Sequence, residues 1–207
     1  MKTHYLAILI LMSFLSISCK AQQTIKNLDM EDVDFQSGFY YKDLNNKLNP
    51  YVGTWLYTNG STSLKIVIKK KEHFFFNSLN YHSDLLVGDF QYIENNTVIQ
   101  DRLSILDNPI VDNNIYETYS IVGNWFKNFN SFPLCTECSP LIKRITIDFQ
   151  DPTRPYLNFK SFVGLNGDIE NEQLIFLIKT EISAIPDDFS PTEPTIPNGK
   201  YILNKLP

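Results

Sequence analysis

The sequence predicts an all-β protein, an antiparallel barrel or sandwich of about eight to ten short strands. Aromatic residues, which favour strands, are abundant, with 15 Phe and 11 Tyr among 207 residues. Short apolar stretches with a two-residue period alternate with turn residues. No stretch of about twelve residues or more has the 3.6-residue period of an amphipathic helix.

The first strands of the predicted body form a hairpin. Residues 51–57 give one strand and residues 63–70 the other, and Asn59-Gly60 between them is typical of a type I′ turn. Gly123, inside a later strand, indicates a bulge. The further predicted strands cover residues 73–78, 85–94, 97–100, 116–126, 141–149, 156–163, 173–182 and 200–205.

The last connection of the chain, residues 186–197, is rich in proline. Pro191, Pro194 and Pro197 follow the three-residue period of polyproline II. We expect a stiff connector before the final strand, with a ligand for PxxP-reading proteins as the alternative.

Composition and charge exclude several classes. Apolar residues make up 43% of the chain and charged residues 20%, which is too apolar for a disordered chain and too charged for a polytopic membrane protein. The net charge of -5 gives no basic surface for nucleic acid, so no nucleic-acid partner is expected.

Residues 1–18 have the pattern of an export signal. A short basic start precedes an apolar run over residues 5–17, which is shorter than the roughly 20 residues of a membrane span. Leu15-Ser16-Ile17-Ser18 then precedes Cys19 and resembles the bacterial lipobox, with Ser16 where that motif prefers Leu. The alternative is an ordinary secretory signal followed by an unrelated cysteine.

The lipobox resemblance implies cleavage before Cys19 and lipid on its sulfur, so the expected partner is a membrane and the expected location is the cell envelope. No acidic residue occurs between Cys19 and Asp29. By resemblance to Bacteroidota lipoproteins, this favours the periplasmic side. Residues 19–48 then form a tether and a leading segment whose Phe39-Tyr40-Tyr41 docks on the body. Residues 49–207 form a single β domain, long enough to bury its own core.

Gly53-Thr54-Trp55 begins the first body strand. The motif resembles the Gly-x-Trp of lipocalins, which implies a ligand-holding barrel closed at one end by the tryptophan. The simpler interpretation is that Trp55 is an aromatic core residue whose indole N–H has a hydrogen-bond partner.

Cys135-Thr136-Glu137-Cys138 is the remaining cysteine pair. Haem attachment needs a histidine after the second cysteine, where Ser139 stands, and a zinc ribbon needs a second ligand pair. A local Cys135–Cys138 disulfide is expected, with weak metal binding and a redox role as alternatives. The sequence indicates no cofactor and no metal site.

Three other groups of residues have two interpretations each. His73 and His82 are expected as exposed turn residues, with a general base beside Ser78 or Ser83 as the alternative. Alternating carboxylates at residues 168, 170 and 172 fit a charged turn better than a calcium loop. The aromatic cluster at Trp125, Phe126, Phe129 and Phe132 is expected to line the core, with sugar stacking as the alternative.

The chain resembles an uncharacterised family of Bacteroidota lipoproteins. The resemblance is carried by Cys19-Lys20-Ala21-Gln22 and by residues 51–60, 86–95 and 202–205. It implies export and a β-rich domain and transfers no activity. The favoured hypothesis is a non-catalytic, lipid-anchored interaction or binding module. A lipocalin-like carrier of a small apolar ligand is the alternative, and a hydrolase with a carboxylate site is third.

Overall fold

The computed structural model describes residues 23–29, 34–107, 114–128, 131, 134–136, 141, 143–165, 173–181 and 183–207. Strands make up 53% and helices 8% of the structure, which confirms the all-β prediction. The strands are β1 (Thr24–Asn27), β2 (Phe39–Lys42), β3 (Gly53–Asn59), β4 (Thr62–Phe76), β5 (Tyr81–Glu94), β6 (Thr97–Asp101), β7 (Ile121–Lys127), β8 (Arg144–Phe149), β9 (Ser161–Leu165), β10 (Gln173–Ile178) and β11 (Gly199–Leu206). Two 3₁₀ turns (Asn49–Tyr51 and Leu103–Asp107) and one short α-helix, α1 (Ile115–Thr118), complete the described elements.

Eight of these strands close an antiparallel barrel. Their order is β5-β4-β3-β11-β10-β9-β8-β7, and β7 pairs back onto β5 through Leu86↔Gly123, Val87↔Val122 and Gly88↔Ile121. Of the two architectures that the sequence predicts, the structure therefore has the barrel, as in a lipocalin-like fold.

Both edges of β5 pair with other strands along most of its length, so β5 connects several parts of the sheet. One edge pairs with β4. The other edge pairs in turn with β2 at His82 and Ser83, with β7, and with β6 beyond residue 90. β1 adds to β2 in parallel, so the residues before the barrel extend the same sheet.

The β3–β4 hairpin has the predicted strands and a different turn. Asn59 pairs with Thr62, so the two central residues are Gly60 and Ser61. Gly60 has a φ of 60°, and Ser61 is not in the positive-φ region. The predicted type I′ turn centred on Asn59-Gly60 is therefore wrong, and glycine at the first central position is the pattern of type II′.

The β5–β6 hairpin does have the type I′ pattern. Asn95 and Asn96 have φ values of 50° and 61°, and Glu94 pairs with Thr97 around them. Asparagine tolerates the left-handed region better than most residues, which explains why this pair can form the turn.

One predicted strand begins as a helix. Residues 116–126 were expected to be extended, but α1 occupies the first part, and β7 starts at Ile121. The Asn114 side chain accepts a hydrogen bond from the Glu117 N–H at 3.4 Å, so an N-cap competes with the strand. The predicted bulge at Gly123 is confirmed, since the β7–β8 register shifts between Val122 and Trp125.

Aromatic side chains fill the interior. The ring of Phe149 on β8 lies 5.9 Å from Phe90 on β5 and 5.9 Å from Phe176 on β10, centroid to centroid. Leu64 and Ile66 on β4 are fully buried beside them. Because the three ring-bearing strands are not neighbours in the barrel, their rings meet across its lumen.

Trp55 belongs to the core, as the simpler interpretation predicts. It is 1% exposed, and its indole N–H donates to the Tyr51 carbonyl at 2.9 Å. Lys205, on the last strand, places its Nζ 5.4 Å from the ring centroid. The 3₁₀ turn before β3 and the end of β11 therefore both pack on the tryptophan.

The proline-rich connector lies against the loop that follows β8. The Thr195 N–H donates to the buried Asp151 carboxylate at 2.6 Å, and the Tyr156 hydroxyl donates to the Pro191 carbonyl at 2.8 Å. Ile196 is fully buried, which fixes the chain just before β11 begins. Among the described residues, no helix has the length and apolarity needed to cross a membrane.

A substitution at Gly88 can test how closely the strands of the barrel wall pack. A Cβ at Gly88 would stand 2.8 Å from the Val67 carbonyl oxygen, whereas a Cβ at Gly199 would meet nothing closer than 3.7 Å. We expect Gly88→Ala to lower the free energy of unfolding by about 1–3 kcal/mol, measured by urea denaturation. The matched variant Gly199→Ala should change it by less than about 0.5 kcal/mol. Equal effects would contradict the close β4–β5 approach.

Candidate functional site

A cleft of about 320 Å³ lies on the outside of the barrel wall. On β8, Ile145 and Ile147 are buried in the core, so Thr146 and Asp148 between and after them face outward and reach the cleft. The lining comprises Phe35, Phe76, Leu79, Tyr81, Leu85, Tyr116, Val122, Gly123, Asn124, Trp125, Thr146 and Asp148.

Four of the lining rings are nearly parallel. Tyr81 stacks on Phe35 and on Phe76, each with a centroid distance of 4.8 Å and interplanar angles of 17° and 15°. Trp125 is parallel to Phe35 at 6.3 Å. These rings come from the segment before β2, from both arms of the β4–β5 hairpin and from β7. The stack therefore joins segments that are distant in sequence.

Part of this apolar lining remains open to solvent. Trp125 is 49% exposed, Leu79 56% and Tyr116 37%, whereas Tyr81 is buried behind them. Isolated exposed apolar residues are common, but several that line one concavity are typical of a binding site. The cleft thus offers an apolar surface that the chain does not cover.

Among the described residues that line the cleft, Asp148 is the one with a charged side chain. It has no hydrogen bond or ion pair there, and burial among the neighbouring side chains raises its pKa. Burial also raises the pKa of Tyr116, and the Asp148 charge adds to that increase. The carboxylate is exposed on the cleft wall, is crowded by neighbouring side chains and has no cation beside it among the described residues.

A second cleft of about 430 Å³ adjoins the first and is mainly polar. Tyr116 and Asp148 line both clefts, so these two residues form the shared wall. Gln150, Asn158 and Glu181 supply polar groups on the far side, and Glu181 is paired with Lys160 at 3.3 Å. An apolar surface and a polar one thus meet at Asp148.

The two histidines form a pair near the turn of the β4–β5 hairpin. His73 and His82 stack at 4.1 Å with an interplanar angle of 20°, and the Gln23 side chain contacts His82 Nδ1 at 2.7 Å and His73 Nε2 at 3.0 Å. Both histidines lie in strands, so the expectation of turn positions is wrong, whereas His73 is exposed as expected and His82 is half-buried. Their ring hydrogen bonds in the described structure go to an amide, which gives no base–nucleophile pair.

Asp84, fully buried beside this pair, connects three segments. It accepts hydrogen bonds from the Tyr40 hydroxyl at 2.6 Å, from the His73 N–H at 2.9 Å and from the Asp43 N–H at 2.9 Å. Asp43 in turn binds Lys70 at 3.1 Å. Burial raises the pKa of Tyr40, and its hydrogen bond to Asp84 adds to the increase. These contacts attach the segment before the barrel to β4 and β5.

The structure places only some of the predicted site residues. Cys135 is buried and disulfide-bonded, but Cys138 and the Cys19 lipidation site lie outside the described residues, so both predictions stay predictions. The acidic positions 168, 170 and 172 lie outside as well. No group of three His, Cys, Asp or Glu side chains suited to a metal ion occurs among the described residues.

The aromatic cluster predicted around Trp125 divides in two. Trp125 lines the cleft, whereas Phe126 packs on the core, and residues 129 and 132 are outside the described part. The sequence analysis missed Phe35, Tyr81, Tyr116 and Asp148 as site residues. The two-residue period of β8 was the available signal, because it places Asp148 on the outer face.

A protein-family model matches residues 1–206 of the chain and is described as a family of unknown function (DUF6705). The chain belongs to this family. Membership confirms the resemblance to an uncharacterised family and brings no activity with it. No curated protein and no solved structure is significantly similar to the chain. The function of this family member must therefore be argued from its own residues.

The histidine pair predicts that the free energy of unfolding decreases in acid. Burial and the neighbouring His73 lower the pKa of His82 below its ordinary value of 6.5, so the unfolded chain takes up this proton before the folded one. The His82 contribution to the free energy of unfolding is therefore complete above about pH 7 and declines as the pH falls below about 6.5.

We expect the difference in free energy of unfolding between wild type and His82→Asn to shrink between about pH 7 and pH 5, measured by urea denaturation at several pH values. The variant keeps every other side chain, so the comparison isolates the His82 site together with its contact to His73. A difference that stays constant over this interval would contradict the paired arrangement.

Proposed function

We propose that this protein is a non-catalytic, lipid-anchored binding protein of the cell envelope that takes a small ring-bearing molecule in the outer cleft. The main observation that supports this proposal is the series of aromatic side chains around Trp125. These side chains line a concave surface and remain partly exposed to solvent. Aromatic rings contribute large contact areas and favourable stacking to the binding of other rings.

The packing of the lumen supports the outer cleft over a central cavity. The lipocalin-like carrier hypothesis needs free space among the inward side chains, where Phe90, Phe149 and Phe176 are in contact instead. A ligand in the lumen would have to displace these rings, and the loss of such contacts is costly in a close-packed core. The outer cleft needs no such displacement.

The cleft volume limits the ligand size. About 320 Å³ is near the lower end of the usual range for small-molecule sites. This volume suits a molecule of one or two rings better than a long acyl chain. The adjoining polar cleft can take a polar substituent, because the two share the wall made by Tyr116 and Asp148.

The proposed anchor would hold the barrel close to a membrane. Gln23, bonded to the histidine pair, follows the proposed lipid-bearing Cys19 by four residues. Four extended residues span at most about 14 Å. The lipobox resemblance and the absence of acidic residues before Asp29 support a location in the envelope on the periplasmic side. The binding site would then sample molecules near that membrane.

Trp125→Ala should weaken binding of the neutral aromatic probe N-phenyl-1-naphthylamine about tenfold, because one exposed stacking partner is lost. Binding is measured by the increase in probe fluorescence on titration. Phe189→Ala is the matched control, since Phe189 is 96% exposed and lies outside the cleft lining. Equal affinity of wild type and Trp125→Ala would reject the cleft as the site.

The anchor is tested separately by growth with radioactive palmitate. The wild-type chain should incorporate label, and Cys19→Ala should incorporate none, because that sulfur is the proposed acceptor. Phe189→Ala serves as the control, since it leaves residues 15–19 unchanged. Label retained by Cys19→Ala would reject the anchor and leave the binding proposal unaffected.

A further inference from the structure

We infer that the molecule bound in the outer cleft is an organic cation, with its ring among the aromatic side chains and its ammonium group beside Asp148. The inference rests on the proposed function and adds the charge of the ligand. It starts from a contrast within the lining, where apolar and neutral polar side chains surround one carboxylate.

The Asp148 carboxylate has no partner of its own among the described residues. Other acidic side chains next to the clefts or buried in the wall are paired, as in Lys160–Glu181 at 3.3 Å and Arg102–Asp89 at 3.1 Å. Asp148 is exposed to solvent, although crowding by the neighbouring side chains still raises the pKa of its carboxyl group. A cation bound beside Asp148 would supply an ion pair that this carboxylate does not have among the described residues.

Two lysines lie near the clefts. Lys160 is bound to Glu181, and Lys127 lies 5.5 Å from the centroid of the Trp125 ring. Thr146 and Asn124 complete the polar part of the lining and are neutral. Lys127 thus carries a positive charge near Trp125, whereas the charged side chain in the described lining of the cleft is the Asp148 carboxylate.

Each ligand class has a different energy at this wall. An anion would add repulsion to a carboxylate that already lacks a partner. A neutral ring compound would gain the aromatic contacts but would bury the carboxylate further. An organic ammonium ion would gain an ion pair with Asp148 and attraction to the aromatic rings, both of which strengthen in a partly desolvated site.

The position of Asp148 also orients the ligand. Because Asp148 belongs to both clefts, an ammonium group beside it would point from the aromatic cleft toward the polar one. Substituents on nitrogen would then enter the space near Gln150 and Asn158. The ring would remain beside Trp125.

The test measures calorimetric binding of three ring compounds of similar size, which are benzyltrimethylammonium, benzyl alcohol and benzylsulfonate. We expect the cation to bind tightest and the anion weakest. Asp148→Asn should weaken cation binding roughly two- to fivefold and leave benzyl alcohol nearly unchanged. Asp188→Asn, which removes one carboxylate from an exposed loop outside both clefts, should leave cation binding unchanged.

A second measurement needs no variant. Benzyltrimethylammonium keeps its charge at every pH, so its affinity for the wild-type chain should fall as acid protonates Asp148, while the affinity for benzyl alcohol should not fall with it. This readout applies even when Asp148→Asn does not fold.

The outcomes separate the two proposals. Equal affinity for the cation and benzyl alcohol, with no effect of Asp148→Asn and no loss of cation affinity in acid, would overturn the cation inference and keep the aromatic cleft as a binding site. Tighter binding of benzylsulfonate would overturn it as well. Failure of all three compounds to bind would overturn the cleft as a site, and the charge inference with it.

Discussion

The three-residue ladder between β5 and β7 is the constraint on which the rest of the structure depends. It closes the barrel at Leu86, Val87 and Gly88, where the absence of a side chain at Gly88 lets β4, β5 and β7 approach closely. β7 then bulges between Val122 and Trp125. Because the ladder is short, β5 keeps free edge on both sides of it, and β2 and β6 occupy those positions. Closure therefore determines both where the barrel ends and where the added segments begin.

Two buried carboxylates on β5 then attach those segments. Asp84 binds the Tyr40 hydroxyl and the Asp43 N–H, and so holds the segment that precedes the barrel. Asp89 binds Arg102, whose guanidinium also donates to the Thr118 carbonyl at 3.0 Å, and so holds the region of α1. A buried charge is costly without a partner, which makes each carboxylate selective for the segment that supplies one. Hydrogen bonds and ion pairs to buried carboxylates thus determine which segments pack on the outside of the barrel, and aromatic packing determines its interior.

The sequence predicted what depends on local pattern and missed what depends on tertiary pairing. The two-residue period identified most strands, and Trp55 was correctly expected in the core. The Asn59-Gly60 turn was shifted by one residue because register is set by the paired strands, and the first turn after Asn114 became helical through a cap that no period reveals. The cleft was not predictable, since its rings come from separate segments that meet only after closure. The two-residue period of β8 was enough to predict that Asp148 faces outward, but nothing in the sequence placed Trp125 beside it.

The filled lumen and the outer cleft are consequences of one arrangement. A barrel whose phenylalanine rings meet at its centre gains stability from that contact and has little room to bind there. Concave surface arises instead where the coverings meet the wall, with Phe35 from one segment and Tyr116 from the other. A ligand that contacts both rings must bind more tightly when both segments are docked, and by linkage it must stabilise their docking. Since the segment that carries Phe35 also leads toward the proposed anchor, occupancy of the cleft would tighten the attachment of the barrel to the residues that tether it.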